Sequence, residues 1–151
     1  LYVSEYELST YMEEMINAFR AYADVKRISL TYESNFRYMN TWLDKDKMDS
    51  ILKNLISNAL KYTPEGGSVH IYTAETEDYW SVEVKDTGIG IPANRVAKIF
   101  ERFGKINNFA QGTGLGLTVS RMLVERMGGR IWVRSGEGIG TTFYFTLPLL
   151  S

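Results

Sequence analysis

The chain has 151 residues, the size of one domain: long enough to bury a core and too short for two comfortable ones. Its 44% hydrophobic and 23% charged content is ordinary globular composition, which sets aside disordered and collagenous classes. A formal net charge of -1 gives no global field toward nucleic acid or an anionic membrane, so neither is expected as a direct partner, and the lack of cysteine excludes disulfides, thiolate metal sites and a cysteine nucleophile.

The chain opens at Leu1, carries neither a signal peptide nor an apolar run of membrane-spanning length, and reads as an excised piece of a longer protein. No repeat or low-complexity stretch interrupts it, so residues 1–151 are expected to form one unit. After a short extended start around Tyr2 and Val3, Leu8, Met12, Met15, Ile16 and Phe19 recur at helical spacing. Ile28 to Tyr32 and Phe36 to Trp42 read as strands. A second helix carries Met48, Ile51, Leu52, Leu55, Ile56 and Leu60 on one face and stops at Pro64 and the Gly66, Gly67 pair.

Strict alternation in Val69, Ile71, Thr73 and in Trp80, Val82, Val84 predicts two strands with one buried face, joined by a hairpin through Glu77 and Asp78. A further helix follows Pro92. Another opens near Gly114, with Leu115, Val119, Met122 and Leu123 expected to face inward, and ends at Gly128 and Gly129. Ile131 to Val133 and Phe143 to Leu147 make a closing hairpin. The expected class is α+β, a two-layer α/β sandwich: a mixed sheet of about five strands with three main helices on one face.

Four segments carry chemistry. On the second helix Asn54, Asn58, Lys61 and Tyr62 fall at spacings of three and four and form a polar stripe opposite the apolar face. Such a stripe is often only a solvated face. Asparagine is nevertheless a poor helix former, so two of them mid-helix require compensation. An amide oxygen is a suitable hard ligand for Mg²⁺, and Asn58 is the candidate.

In DTGIGIP, Asp86 to Pro92, strand parity puts Asp86 on the face of Trp80, Val82 and Val84, so its carboxylate points inward and must find a donor. Gly88 and Gly90 permit positive φ and close backbone approach, so a planar heterocycle with an exocyclic amine, such as adenine, can lie there. The simpler reading is a carboxylate capping its own turn. GTGLGL, Gly112 to Leu117, opens a helix and exposes N–H groups at the positive end of the helix dipole, a phosphate site. It follows no strand and carries no GK[ST], so it is neither a dinucleotide fingerprint nor a Walker loop. Between the glycine motifs lies IFERFGKINNFAQ, from Ile99 to Gln111: Phe100 and Phe103 are candidate core residues, and the polar, glycine-flanked stretch after Phe103 reads as a mobile lid whose closure would let Arg102 and Lys105 reach phosphates.

In order and spacing the set resembles the ATP-binding catalytic domain of bacterial sensor histidine kinases, within the superfamily that includes gyrase, Hsp90 and MutL. NLISNALKY is similar to that family's N box, DTGIGIP to its G1 box, FERF to its F box and GTGLGL to its G2 box. The resemblance runs from about Tyr2 to Pro148. It implies the Bergerat ATP-binding fold, with ATP and Mg²⁺ as cofactors. Asn58 would hold Mg²⁺; Asn54 and Lys61 would approach the phosphates, with Arg102 and Lys105 from the lid; Tyr62 would stack near the adenine. Asp86 would accept the adenine amine, framed by Gly88, Gly90 and Ile91 and assisted through water by Thr141. Gly112, Thr113, Gly114, Leu115, Gly116 and Leu117 would wrap the phosphates.

The resemblance also implies a partner, the histidine-bearing dimerisation domain of the same parent, and indirectly a response regulator receiver domain. The location implied is the cytoplasmic portion of a membrane-anchored sensor. The acceptor hairpin is absent from this sequence. The single histidine, His70, sits on a strand facing opposite to Val69 and Ile71, and lacks the acidic neighbour of an acceptor histidine.

Two other functions fit the same motifs. A gyrase-like hydrolase or ATP-driven clamp needs a glutamate at the first N-box position to activate water, and that position is Asn54, which cannot act as a general base. A degenerate module that binds ATP or a partner without supporting transfer is the third reading, and the intact Asn58, Asp86 and glycine motifs argue against loss of binding.

Overall fold

A computed structural model of the chain describes residues 2–99 and 113–149, and for residues 113–116 the backbone alone. In chain order the elements are β1 (Ser4–Glu7), α1 (Leu8–Asn17), α2 (Arg20–Lys26), β2 (Ser29–Ser34), β3 (Asn40–Leu43), α3 (Lys45–Tyr62), β4 (Ser68–Glu75), β5 (Tyr79–Asp86), α4 (Ala93–Val96), α5 (Thr113–Arg126), β6 (Arg130–Gly136) and β7 (Gly140–Pro148). The main sheet has five strands in the order β2-β4-β5-β7-β6, and β1 with β3 forms a separate two-stranded ribbon. β2 runs parallel to β4 and the remaining neighbours are antiparallel, so the sheet is mixed, as expected.

Alternation decides which face meets the helices. Val69, Ile71 and Thr73 of β4, Trp80, Val82, Val84 and Asp86 of β5, and Thr141, Phe143, Phe145 and Leu147 of β7 are all buried. Their neighbours point to the open face, where Trp132 stacks on Tyr144 with ring centroids 5.4 Å apart. Register brings Asp86 level with Val69 on one side and Thr141 on the other.

α3 closes the core from the helical layer. Asp44 caps its start, accepting from the Lys47 N–H at 3.1 Å, and Met48, Ile51, Leu52, Leu55, Ile56 and Leu60 are wholly buried. Each such aliphatic side chain contributes about 1.5 to 3 kcal/mol by leaving water. The last four carbonyls of a helix lack intrahelical partners, and here Pro64, not a glycine, follows the Thr63 cap. Here each is met from outside. Ala59 O accepts from the Thr63 hydroxyl at 2.7 Å, Leu60 O and Lys61 O from Lys26 Nζ at 2.7 and 2.8 Å, and Tyr62 O from the Ile89 N–H at 3.3 Å. The Lys26 charge also suits the negative end of the helix dipole.

Four differences from the sequence reading have physical reasons. The first strand lies at Ser4–Glu7 rather than Tyr2 and Val3, and the strand expected over Phe36 to Trp42 shortens to Asn40–Leu43. Both follow from Glu7, whose carboxylate caps α1. It accepts from the Ser9, Thr10 and Met39 N–H groups at 2.9, 3.0 and 2.9 Å and from the Ser9 and Thr10 hydroxyls. Met39 O in turn accepts from the Leu8 N–H at 2.7 Å, so the Met39 backbone is committed to the helix start and not to a strand.

The first helix breaks at Ala18 and Phe19, and α2 follows unannounced because Ala23 is its single buried residue and leaves no apolar period to read. On α5 the inward face is Leu117, Ser120, Leu123 and Val124, whereas Val119 and Met122 are 40% and 43% exposed, contrary to expectation. The phase of that helix is set by its contact with α3, described below.

Burial alone would raise the Glu7 carboxyl, but the Ser9 hydroxyl and the Met39, Ser9 and Thr10 amides outweigh it and lower the carboxyl from 4.5 to about 2. A depressed carboxylate stabilises the fold fully above its ordinary value and loses that contribution as pH falls toward the folded value. The melting-temperature gap between wild type and Glu7→Gln is therefore expected to be constant above about pH 5 and to close as pH drops from about 4.5 toward 2. A gap independent of pH would deny the carboxylate this role. Lys26→Met is expected to lower unfolding free energy by roughly 1 to 2 kcal/mol in denaturant titration, the loss of charge-assisted bonds to two end carbonyls.

Candidate functional site

The polar stripe of α3 is held at its outer end by α5. Asn54 Nδ2 donates to the buried Ser120 Oγ at 3.1 Å, and Asn58 Nδ2 donates to Asn54 Oδ1 at 3.4 Å. An amide whose Nδ2 faces its neighbour turns its carbonyl oxygen the other way, so the chain from Ser120 through Asn54 fixes the orientation of Asn58. This is the compensation that two mid-helix asparagines require. Lys61 is exposed, with Nζ 5.4 Å from the centroid of the Tyr62 ring.

The turn after β5 is pressed against α3 on one side and the β6–β7 hairpin on the other. A side chain at Gly88 would bring a Cβ to 2.4 Å from Tyr62 O, the carbonyl that accepts from Ile89. Gly90 has φ +73°, and a Cβ there would lie 2.0 Å from Gly136 O. Gly138 N–H donates to Ile89 O at 2.7 Å, and Ile91 N–H donates to Ser135 Oγ at 2.7 Å. Ser135 Oγ also donates to Gly140 O at 3.0 Å and lies 2.8 Å from Thr141 Oγ1.

Asp86 is 7% exposed. The Gly88 and Thr141 N–H groups both donate to Oδ1, at 2.8 and 3.1 Å, and among the described residues no donor meets Oδ2. Burial raises the Asp86 carboxyl, and the two amides offset only part of that rise. A buried carboxylate with one oxygen satisfied and the other at a cavity is poised to accept from a ligand.

That cavity has apolar walls from Ala59, Ile89, Leu117 and Phe143 and polar groups from Asn58, Tyr62, Asp86 and Thr141, with Gly90 at its rim. A slot with apolar walls and few placed polar groups suits a flat heterocycle. Of the residues expected from sequence, it gathers Asn58, Tyr62, Asp86, Gly90, Leu117 and Thr141. Asn54 and Lys61 stand on the same helix outside the lining, while Gly88 and the buried Ile91 shape the turn from behind. Thr113, Gly114, Leu115 and Gly116 open α5. Arg102, Lys105 and Gly112 lie outside the described residues, as do Phe100 and Phe103. His70 lies on the open face of the sheet, with Nδ1 2.6 Å from Thr31 Oγ1 and Nε2 3.3 Å from Glu33.

Sequence reasoning missed Ser120 and Ser135. A serine on the apolar period of α5 was a readable signal for the first. The second becomes visible only when the hairpin register sets Ser135 opposite Thr141.

The chain is similar to known proteins in sequence and in fold. The profile of the family described as histidine kinase-, DNA gyrase B-, and HSP90-like ATPase matches residues 43–151. The sensor histidine kinase WalK of Bacillus subtilis is 48% identical over 112 residues, which cover 70% of this chain and 18% of that protein. The chain thus spans less than a fifth of that relative's length. The nucleotide-free catalytic domain of histidine kinase ThkA superposes with a TM-score of 0.89 at 28% identity, covering 99% of this chain and 97% of that one. The structure of ThkA in complex with the response regulator TrrA gives 0.83 at 26% identity, over 97% and 42% of the two chains. Full-length ShkA in complex with AMPPNP gives 0.88 at 26%, over 100% and 32%. The chain therefore belongs to the histidine kinase-, DNA gyrase B- and HSP90-like ATPase family, and its fold is that of a histidine kinase catalytic domain.

Proposed function

We propose that residues 1–151 are the catalytic domain of a longer sensor kinase, binding Mg-ATP and donating its γ-phosphoryl group to a histidine on a separate dimerisation domain of the same parent. The bond from the β–γ bridging oxygen to the γ-phosphorus breaks, a nitrogen–phosphorus bond forms on the acceptor, and ADP leaves. A response regulator would take the phosphoryl group next. The ThkA complex with TrrA supports a partner of that class. No helix among the described residues is long and apolar enough to cross a membrane, which fits a cytoplasmic portion of the parent.

One observation carries the nucleotide reading: the buried Asp86 carboxylate, with both backbone donors on one oxygen and the other at an apolar slot. An exocyclic amine of a purine fits that unmatched acceptor. The slot opens along α3 toward Asn58, whose amide oxygen is a hard donor of the kind Mg²⁺ accepts beside phosphate oxygens. When bound, the ion supplies neutralisation of phosphate charge. Lys61 on α3 and the N-terminal turn of α5 carry positive potential of the kind that suits phosphates.

Phosphoryl transfer requires positioning and charge stabilisation rather than a nucleophile from this chain. Asn54 argues against the hydrolase reading, because its amide is bonded to Ser120 and Asn58 and has no basic form for activating water.

Asp86→Asn is expected to weaken ATP binding by about 1 to 3 kcal/mol, tenfold to a hundredfold, while the melting temperature at neutral pH does not fall. The second part follows because a carboxyl raised by burial disfavours the folded state as pH climbs through its range, and the amide removes that charge. Isothermal titration with ATP and GTP reads the first part, and equal affinity for both before and after the change would remove the adenine assignment. Asn58→Ala is expected to abolish the difference between ATP affinity in Mg²⁺ and in chelator. A Mg²⁺ dependence like that of wild type would deny Asn58 the ion.

A further inference from the structure

The Ser135 hydroxyl has three neighbours and one proton. Ile91 N–H is only a donor, and Gly140 O is only an acceptor; Thr141 Oγ1 can be either. A single assignment satisfies all three contacts. Ser135 gives its proton to Gly140 O, accepts from Ile91 N–H, and accepts from the Thr141 hydroxyl. In the alternative, with Ser135 donating to Thr141, the Gly140 carbonyl loses this bond. The Thr141 proton is therefore committed to Ser135, and Thr141 can offer a ligand in the slot only its oxygen lone pairs.

Asp86 lines the same slot, and its Oδ2 is likewise an acceptor. We infer that Ser135 is a specificity-determining residue that touches no nucleotide itself: by taking the Thr141 proton it leaves the Asp86 and Thr141 side chains as a pair of acceptors, which selects purines whose position-6 substituent presents amine hydrogens over those that present a carbonyl there. This rests on the nucleotide reading above and adds to it a cause of base discrimination. With both acceptors on the position-6 substituent, an amine has a hydrogen for each, whereas a 6-oxo group sets its lone pairs against both, and an unanswered buried polar group is a strong basis for rejection. Position also matters. Ser135 ties the turn at Ile91 to the strand carrying Thr141, so the group that orients the hydroxyl also holds the turn beside Asp86.

The test uses ATP and ITP, which differ at the position-6 substituent and the adjoining N1 proton, titrated separately onto wild type, Ser135→Ala, Ser135→Cys and Ser135→Thr. Alanine deletes the acceptor and cysteine fills the space with a weak one, so both release the Thr141 proton to turn toward the slot. Each is expected to cut the ATP-to-ITP affinity ratio about tenfold, chiefly by improving ITP relative to ATP. Threonine keeps the hydroxyl and is expected to keep the ratio. An equal loss of both affinities in the alanine and cysteine variants would reduce Ser135 to a brace for the turn and overturn the inference. Should wild type bind neither nucleotide, the nucleotide reading falls as well, whereas tight ATP binding with a ratio indifferent to Ser135 defeats this inference alone.

Discussion

A carboxylate enclosed in a protein interior must be answered by donors, and the answer given to Asp86 dictates the shape of the site. Both donors are main-chain amides, one from the turn that follows β5 and one from the neighbouring strand β7. Backbone donors cannot be repositioned by a rotamer change, so the carboxylate locks the turn, the end of β5 and the start of β7 into one arrangement. Both bonds converge on one oxygen. The other is left at a slot whose walls are apolar, and burial accordingly raises the carboxyl. The fold tolerates this local cost because it sits on a large buried core, and a ligand donor at the free oxygen would relieve it.

The second constraint is the end of α3. With no glycine to bend its last turn, the helix depends on Thr63, Lys26 and Ile89 for its end carbonyls. The Ile89 contact makes the glycine turn a part of the helix cap, and it requires Gly88 to carry no side chain. Helix stripe and glycine turn are consequently one rigid unit. At the other end of the stripe, Ser120 of α5 orients Asn54 and through it Asn58. Asn58 of α3 and the acid of β5 thus face one cavity because hydrogen bonds tie their elements together.

Much of this was legible in the residues. The inward direction of Asp86 followed from its even spacing with Trp80, Val82 and Val84, and that of Thr141 from Phe143 and Phe145; the structure buries all of them. The apolar face of α3 was equally plain, since six large aliphatic positions leave little choice of phase. α2 was not legible, because one buried alanine produces no periodicity. The inward face of α5 was misjudged in part: Leu123 is buried as expected, and the side chain of Leu115 lies outside the described residues. The misses have a related cause. Val119 and Met122 are apolar but solvent-facing, while the residue that docks the helix, Ser120, is polar. Hydrophobicity alone cannot identify a buried hydroxyl whose partner, Asn54, lies far away in sequence. The role of Ser135 likewise depends on hairpin register, which local pattern does not supply.

The chain is similar to histidine kinase catalytic domains along nearly its whole length. Among its described motif residues, Asn58, Tyr62, Asp86, Gly90 and Leu117 line the slot, and Asn54 and Gly88 each hold a neighbour that does. The central claim is that Asn58, Asp86 and Thr141 bound a single site for Mg-ATP. Its most direct test is an amide-resonance titration of the ¹⁵N-labelled chain with Mg-ATP. The account predicts large, saturable shifts at Gly88 and Thr141, whose N–H groups hold Asp86, and at Asn58, with Tyr72 and Trp132 on the open sheet face unmoved. Resonances of Gly88 and Thr141 that stay in place at millimolar nucleotide, or shifts confined to the open face, would contradict it.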